Sequence, residues 1–183
     1  MKIITKKQLE EKANRTKGNY WVRSWRSRWD YLQIVAAELH DINPSTVLEL
    51  GAYKINLTSI SDNLDQKVDF IDPDNLGNKQ YIHQAQETPW AIKDKQYDVV
   101  ICLQMFEHLS GDQRKVFNEI RRISRRAIIS FPYKWDEPDD FIHHDIDDDD
   151  INLWTCNQPT YKTVTVGGGK KSKRQIRFYE FKW

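Results

Sequence analysis

Four short runs rich in β-branched and aromatic residues recur along the chain: TVLEL at 46–50, KVDFI at 67–71, YDVVICL at 97–103 and AIISF at 127–131. Each is close to continuously apolar, the pattern of a strand covered on both faces, as strands of a parallel sheet are. A shorter candidate, YIH at 81–83, falls between the second and third runs. Helical spacing fills the intervals. Residues 20–39 place Trp21, Trp25, Trp29, Leu32, Val35, Ala36 and Leu39 three or four positions apart, with arginines between them. Residues 111–123 put Val116, Phe117, Ile120 and Ile123 on one face, with Asp112 near the positive amino end and arginines near the other. Strands alternating with helices predict an α/β fold, a mostly parallel sheet with helices on both faces. The tail follows another rule. YKTVTV at 161–166 and QIRFYEF at 175–181 alternate strictly around GGGKKSK, which predicts an antiparallel C-terminal hairpin with a long, flexible, basic loop.

A chain of 183 residues suits one domain that buries roughly 70% of its unfolded surface. It reads as a helical segment at 1–42, a central sheet segment at 43–135, and a loop, helix and hairpin at 136–183. Twenty-eight basic residues against 27 acidic ones leave a net charge of +1, which gives no global attraction to nucleic acid or membrane. The charges cluster locally instead, with basic residues before Trp29 and at 170–177, and five aspartates between Asp145 and Asp150. Cys102 and Cys156 lie far apart, and Cys102 sits inside an apolar run, so no disulfide framework is expected. No apolar stretch approaches the ~20 residues of a membrane span and the amino terminus lacks a secretory core, which predicts a cytoplasmic protein.

In open α/β sheets, ligands gather beyond the carboxyl ends of the strands, where the strand order reverses. The residues there are VLELGAYKI at 47–55, VDFIDPD at 68–74, YDVVICLQMFEHL at 97–109 and RRAIISFPYKW at 125–135. In order and spacing they resemble the class I methyltransferases that use S-adenosylmethionine, a Rossmann-like family whose last strand is antiparallel, as the terminal hairpin is here. The resemblance runs through most of the chain from Thr46 onward and implies S-adenosylmethionine as cofactor. It assigns Glu49, Gly51, Ala52 and Tyr53 to the first cofactor loop, Asp72 to the ribose hydroxyls and Gln84 to the adenine amino group, with Gln86 and Glu87 competing for that last role. Gln104, Glu107 and His108 stand where the family borders both the methionine end of the cofactor and the acceptor. The sequence departs from the family at two positions, because Tyr53 and Ile55 occupy later glycine positions of the first motif. A tyrosine ring over the cofactor, a displaced loop or a lost site would each account for that.

Three histidines are catalytic candidates. His108 has the residue type of a general base near neutral pH. His143 and His144, with Tyr133 and Trp135, fall in the segment where the family places acceptor-binding loops. The run HHDIDDDD at 143–150 also offers metal-type ligands, but its spacing fits neither a zinc pattern nor an EF-hand loop. Its aspartates suit the amino end of a helix continuing into Ile151, Leu153 and Trp154, so no metal is expected. The acceptor is expected to be a small molecule, since the short chain leaves little room for an acceptor domain. Two rival readings remain: a non-catalytic scaffold of the same fold, and a nucleic-acid binder that uses GGGKKSKR and the arginines of the first helix.

Overall fold

The computed structural model describes residues 2–3, 5–15, 19–51, 61–62, 68–71, 80–81, 84–169 and 171–182. Along the chain they form β1 (Lys2–Ile3), α1 (Lys6–Arg15), α2 (Asn19–Ile42), β2 (Val47–Leu50), β3 (Ser61–Asp62), β4 (Val68–Ile71), β5 (Gln80–Tyr81) and β6 (Tyr97–Leu103). A 3₁₀ turn (Phe106–Leu109), α3 (Gln113–Ile123), β7 (Ser124–Pro132), α4 (Asp148–Trp154), β8 (Thr160–Val166) and β9 (Arg174–Glu180) follow. All five apolar runs contain a strand, with ends that coincide or shift by up to three residues; residues 67, 82 and 83, which the sequence assigned to strands, lie outside the described residues.

Seven strands make one sheet in the order β5-β4-β2-β6-β7-β9-β8, and β1 pairs with β3 in a separate two-stranded ribbon. From β5 to β7 every pairing is parallel; β9 then runs antiparallel to both β7 and β8. The order reverses between β2 and β6, since β4 and β5 extend the sheet on one side and β7 on the other.

The two faces of the sheet bury separate cores. Val47, Val99, Ile101, Ile128 and Phe178 meet Leu32, Val35, Ala36 and Leu39 of α2 and Leu9 of α1. Leu48, Val100, Cys102, Ala127 and Ile129 meet Val116, Phe117, Ile120 and Ile123 of α3 and Ile151 of α4. Residues adjacent in sequence alternate between these cores, as the two-residue strand period requires. The α3 stripe is fully buried, worth roughly 1.5–3 kcal/mol per large side chain. Trp29 packs partly buried against the α2 core, as the helical spacing predicted.

The acidic run begins a helix. Asp147 caps α4 by accepting from the backbone N–H groups of Asp149 (2.8 Å) and Asp150 (3.2 Å), while its own N–H donates to Asp150 Oδ2 (3.2 Å), a reciprocal capping box. Asp148 then faces the sheet. It accepts from Tyr133 Oη (2.7 Å), Gln175 Nε2 (3.1 Å) and Arg177 Nη2 (2.6 Å), and Arg177, buried on β9, also donates to Asn152 Oδ1 (2.6 Å). This cluster joins α4 to β7 and β9.

The hydrogen bond from Tyr133, with Gln175 and Arg177, holds the Asp148 carboxyl below the usual aspartate range. Asp148→Ala is expected to lower stability by about 1–2 kcal/mol, the low end for charged hydrogen bonds because the carboxylate is half exposed. A depressed carboxyl contributes above its unfolded pKa of about 3.9 and loses that contribution as pH falls through its folded value. Urea denaturation at pH 7 and at pH 3 should therefore show the gap between wild type and variant narrowing in acid.

Candidate active site

Past Asp98 at its amino end, β6 is apolar through Leu103, and polar side chains return at its carboxyl end. Gln104, the first of them, takes a left-handed backbone conformation at φ 53°. Its N–H donates to the carbonyl and hydroxyl oxygens of Ser130 (both 3.1 Å), and its side-chain amide donates to the same hydroxyl (3.1 Å). Gln104 thus ties the end of β6 to β7. Its amide is held against Ser130, where the sequence reading had it at the cofactor junction.

Gly51 ends β2 beside this turn. Its φ is +63°, and a Cβ there would stand 2.5 Å from Met105 Cγ. The bare backbone is therefore needed both for its conformation and for the approach of Met105. Glu49, two residues earlier, is a buried carboxylate on the α2 side of the sheet. Gln84 follows β5 and is exposed. Ala52, Tyr53 and Asp72, and Ile55 with them, lie outside the described residues.

The 3₁₀ turn after Met105 folds Phe106 and Leu109 into the α3-side core and leaves His108 half exposed. Glu107 is buried, with only 1% of its side chain accessible. Oε2 of its carboxylate meets no hydrogen-bond donor among the described residues. Burial pushes this carboxyl up to about 7, against the pull of its own backbone N–H and of the charges on Arg174 and Arg28.

His143 arrives from the loop between β7 and α4. That loop is pinned at its base, because Lys134 N–H donates to the Ile146 carbonyl (2.8 Å) and Asp145 N–H to the Trp135 carbonyl (3.0 Å). Within it, residues 140–144 form a turn that aims His143 Nε2 at Glu107 Oε1 (3.9 Å), and His108 Nε2 stands 4.0 Å from the same oxygen. The two imidazoles meet edge to face with centroids 5.0 Å apart. His143 Nδ1 lies 2.8 Å from both oxygens of Asp140, and Trp135 stacks on the ring at 5.4 Å. Arg174 lies over the Trp135 ring at 4.1 Å. Burial and the neighbouring His143 lower the His108 pKa, which favours the neutral ring.

His144, next in sequence, points elsewhere, its Nδ1 accepting from the Glu137 N–H (3.3 Å). Tyr133 has its hydroxyl on Asp148, outside the group of His108, His143 and Trp135. The basic loop before β9 folds back on the same region. Lys171 pairs with Glu137, Lys173 lies over the Tyr133 ring at 4.9 Å, and the Lys173 carbonyl accepts from Trp135 Nε1 (2.6 Å). Its glycines and Lys171 stay exposed, while its end at Lys173 packs against Tyr133 and Trp135. Sequence reasoning missed Asp140, Met105 and Arg174 as neighbours of the site. Only Asp140 left a signal, three positions before His143, the spacing of a turn that returns on itself.

Residues 46–127 match the family model of a methyltransferase domain. The N-methyltransferase NodS from Bradyrhizobium japonicum WM9, solved in complex with S-adenosyl-L-homocysteine, has a similar structure, with TM-score 0.64 and 11% identity over 95% of this chain and 98% of that one. The N-terminal domain of EvdMO1, solved with SAH bound, matches with TM-score 0.60 and 10% identity over 98% of both chains. A SAM-dependent methyltransferase from Aquifex aeolicus matches with TM-score 0.53 and 16% identity over 78% of this chain and 88% of its own. No curated protein matches the sequence significantly. With a methyltransferase-domain match that runs from β2 into β7 and this likeness over almost the whole chain, the protein has the Rossmann-like fold of the class I S-adenosylmethionine-dependent methyltransferases.

Proposed function

We propose that this protein transfers a methyl group from S-adenosylmethionine to a small-molecule acceptor. The observation that carries the reading is the meeting, at the point where strand order reverses, of a bare glycine turn after β2 with Glu107 and His108 after β6 and His143 from the loop after β7. When bound, the cofactor supplies an electrophilic methyl on a sulfonium. Segment 43–135 provides the cofactor side. Gly51 lets a ligand approach the backbone at the end of β2, and the buried Glu49 stands behind it. Ala52, Tyr53, Asp72 and Gln84 complete that side in this reading. The NodS and EvdMO1 structures, both holding the demethylated product of the cofactor, support it as the ligand of this fold.

Segment 136–183, together with Glu107, His108 and Trp135 at the border of the cofactor side, provides the acceptor side. Methyl transfer is an in-line displacement, so the protein's main task is to hold the nucleophile aligned with the methyl and water excluded. Trp135, wedged between His143 and Arg174, supplies a rigid wall for an acceptor, and Glu107, His108 and His143 receive its nucleophilic group. A single loop of this size between β7 and α4 suits a small acceptor better than a macromolecular one.

Calorimetric titration with S-adenosylmethionine and S-adenosylhomocysteine should give saturable micromolar binding. Glu49→Gln, which preserves side-chain shape, and Gly51→Ala should each weaken it by about tenfold or more, because a β-carbon at Gly51 costs about 1–2 kcal/mol in backbone strain and displaces Met105. Absent binding by well-folded wild type would end the enzyme reading in favour of a non-catalytic scaffold.

The nature of the acceptor has its own check. Methyl-labelled cofactor incubated with the protein and a cell extract should deliver label to the low-mass fraction. Label appearing only in the macromolecular fraction would overturn the small-molecule assignment.

A further inference from the structure

We propose that Glu107, His108 and His143 form a binding site for a divalent first-row transition-metal ion, and that the ion's open position takes an oxygen of the acceptor. The proposal rests on the methyltransferase reading for the role of the ion, though not for its binding. Three lines of geometry carry it. One ligand-type atom from each residue lies within 4.8 Å of the other two, and the two imidazole Nε2 atoms are 3.9 and 4.0 Å from a shared carboxylate oxygen. An ion with bonds of about 2.1 Å needs tetrahedral donors about 3.4 Å apart, so from separations within 4.8 Å each side chain moves by about 0.7 Å or less.

Glu107 is the second line of evidence. Its carboxylate is buried and Oε2 has no donor among the described residues, a costly arrangement for an acid that only holds the fold together. A cation in the group would give the buried carboxylate its counter-charge. The third line is the support behind His143. Asp140 takes the Nδ1 proton at 2.8 Å, which fixes the tautomer and leaves the Nε2 lone pair facing Glu107, while Trp135 holds the ring plane. A carboxylate behind a ligating imidazole is the usual outer support of metal-binding histidines.

Two imidazoles and one carboxylate favour zinc, cobalt, iron, nickel or manganese over magnesium or calcium, which prefer all-oxygen sets. Three protein ligands leave a position open, as in catalytic rather than structural sites. The chemical class of acceptor follows from that open position. A hydroxyl bound to the ion loses its proton to water more readily, and its oxygen lone pair is then available to form the O–CH₃ bond as the carbon–sulfur pair stays with sulfur. The site therefore fits an alcohol, phenol or sugar hydroxyl better than an amine that is already nucleophilic. The aspartate run plays no part, because its residues cap α4. The sequence spacing that argued against a metal considered that run alone, whereas the proposed ligands come from two segments 35 residues apart.

The full chain, stripped with chelator, would be titrated with Zn²⁺, Mn²⁺ and Mg²⁺, and its Co²⁺ form followed by visible absorption. A single saturable site is expected for Zn²⁺ and Mn²⁺, with weak or no binding of Mg²⁺. His108→Asn, His143→Asn and Glu107→Gln should each weaken binding on the order of 100-fold, and Asp140→Asn by 10- to 100-fold through the second layer. His144→Asn should leave it unchanged. Folding of each variant would be checked by circular dichroism. No transition-metal binding by folded wild type would overturn the site, as would binding that His143→Asn and Glu107→Gln both leave intact. Titrating S-adenosylhomocysteine with and without chelator separates the two ideas, because cofactor binding that survives chelation stands or falls independently of the metal.

Discussion

The architecture depends on β6 being covered on both faces. Val99, Val100, Ile101 and Cys102 are fully buried, with Val99 and Ile101 against α2 and Val100 and Cys102 against the α3 side. β2 and β7 occupy its two edges in parallel register, so its backbone groups are taken up along its length. A polar side chain cannot enter such a strand without leaving its hydrogen bonds unmade, which costs roughly 1–3 kcal/mol in proteins. Asp98, at the start of the strand, accepts from the Ser45 and Thr46 N–H groups; beyond it polar residues return only where the chain escapes the sheet, and the site begins there, at Gln104.

That escape is sharp. The left-handed turn at Gln104, tied to Ser130, sends the chain into a 3₁₀ turn whose buried Phe106 and Leu109 anchor it to the α3-side core. Glu107 lies between those anchors and is drawn into the interior with them. A carboxylate in that position is either neutral or balanced by positive charge. Arg174 and Arg28 supply part of the balance, and the two imidazoles at 3.9 and 4.0 Å are placed to bind a cation that supplies more.

The antiparallel strand β9 stiffens the segment that follows β7. Inserted between β7 and β8, it carries Arg177 inward to Asp148, Asn152 and Gln175, so the start of α4 is fixed to the sheet. Just before β9, the Lys173 carbonyl accepts from both Tyr133 N–H and Trp135 Nε1. The loop that presents His143 thus springs from an anchored base. Its tip is another matter, with Phe141 92% exposed.

Much of this was determined by the sequence alone. Continuous apolar runs mark the parallel strands because burial on both faces admits little else, and the 3.6-residue stripes of α2 and α3 mark helices that cover one face. Strict alternation marks the terminal hairpin, and the aspartates mark the start of α4. Helix α1 falls inside the segment 1–42 read as helical, although KKQLEEKANR shows no apolar stripe; the buried Leu9 packs it on α2. The polar start of β7 at Ser124 to Arg126 escaped for a related reason, since strand pairing rather than side-chain character extends it. The residues of the candidate site were visible as types at the ends of strands, but their grouping was not. His143 and His144 are indistinguishable in sequence, and only the turn over 140–144, closed by Asp140, points one ring at Glu107 and the other at Glu137. Direction in space is set by long-range packing of the loop on β7 and the residues before β9, and a local pattern of residues cannot encode it.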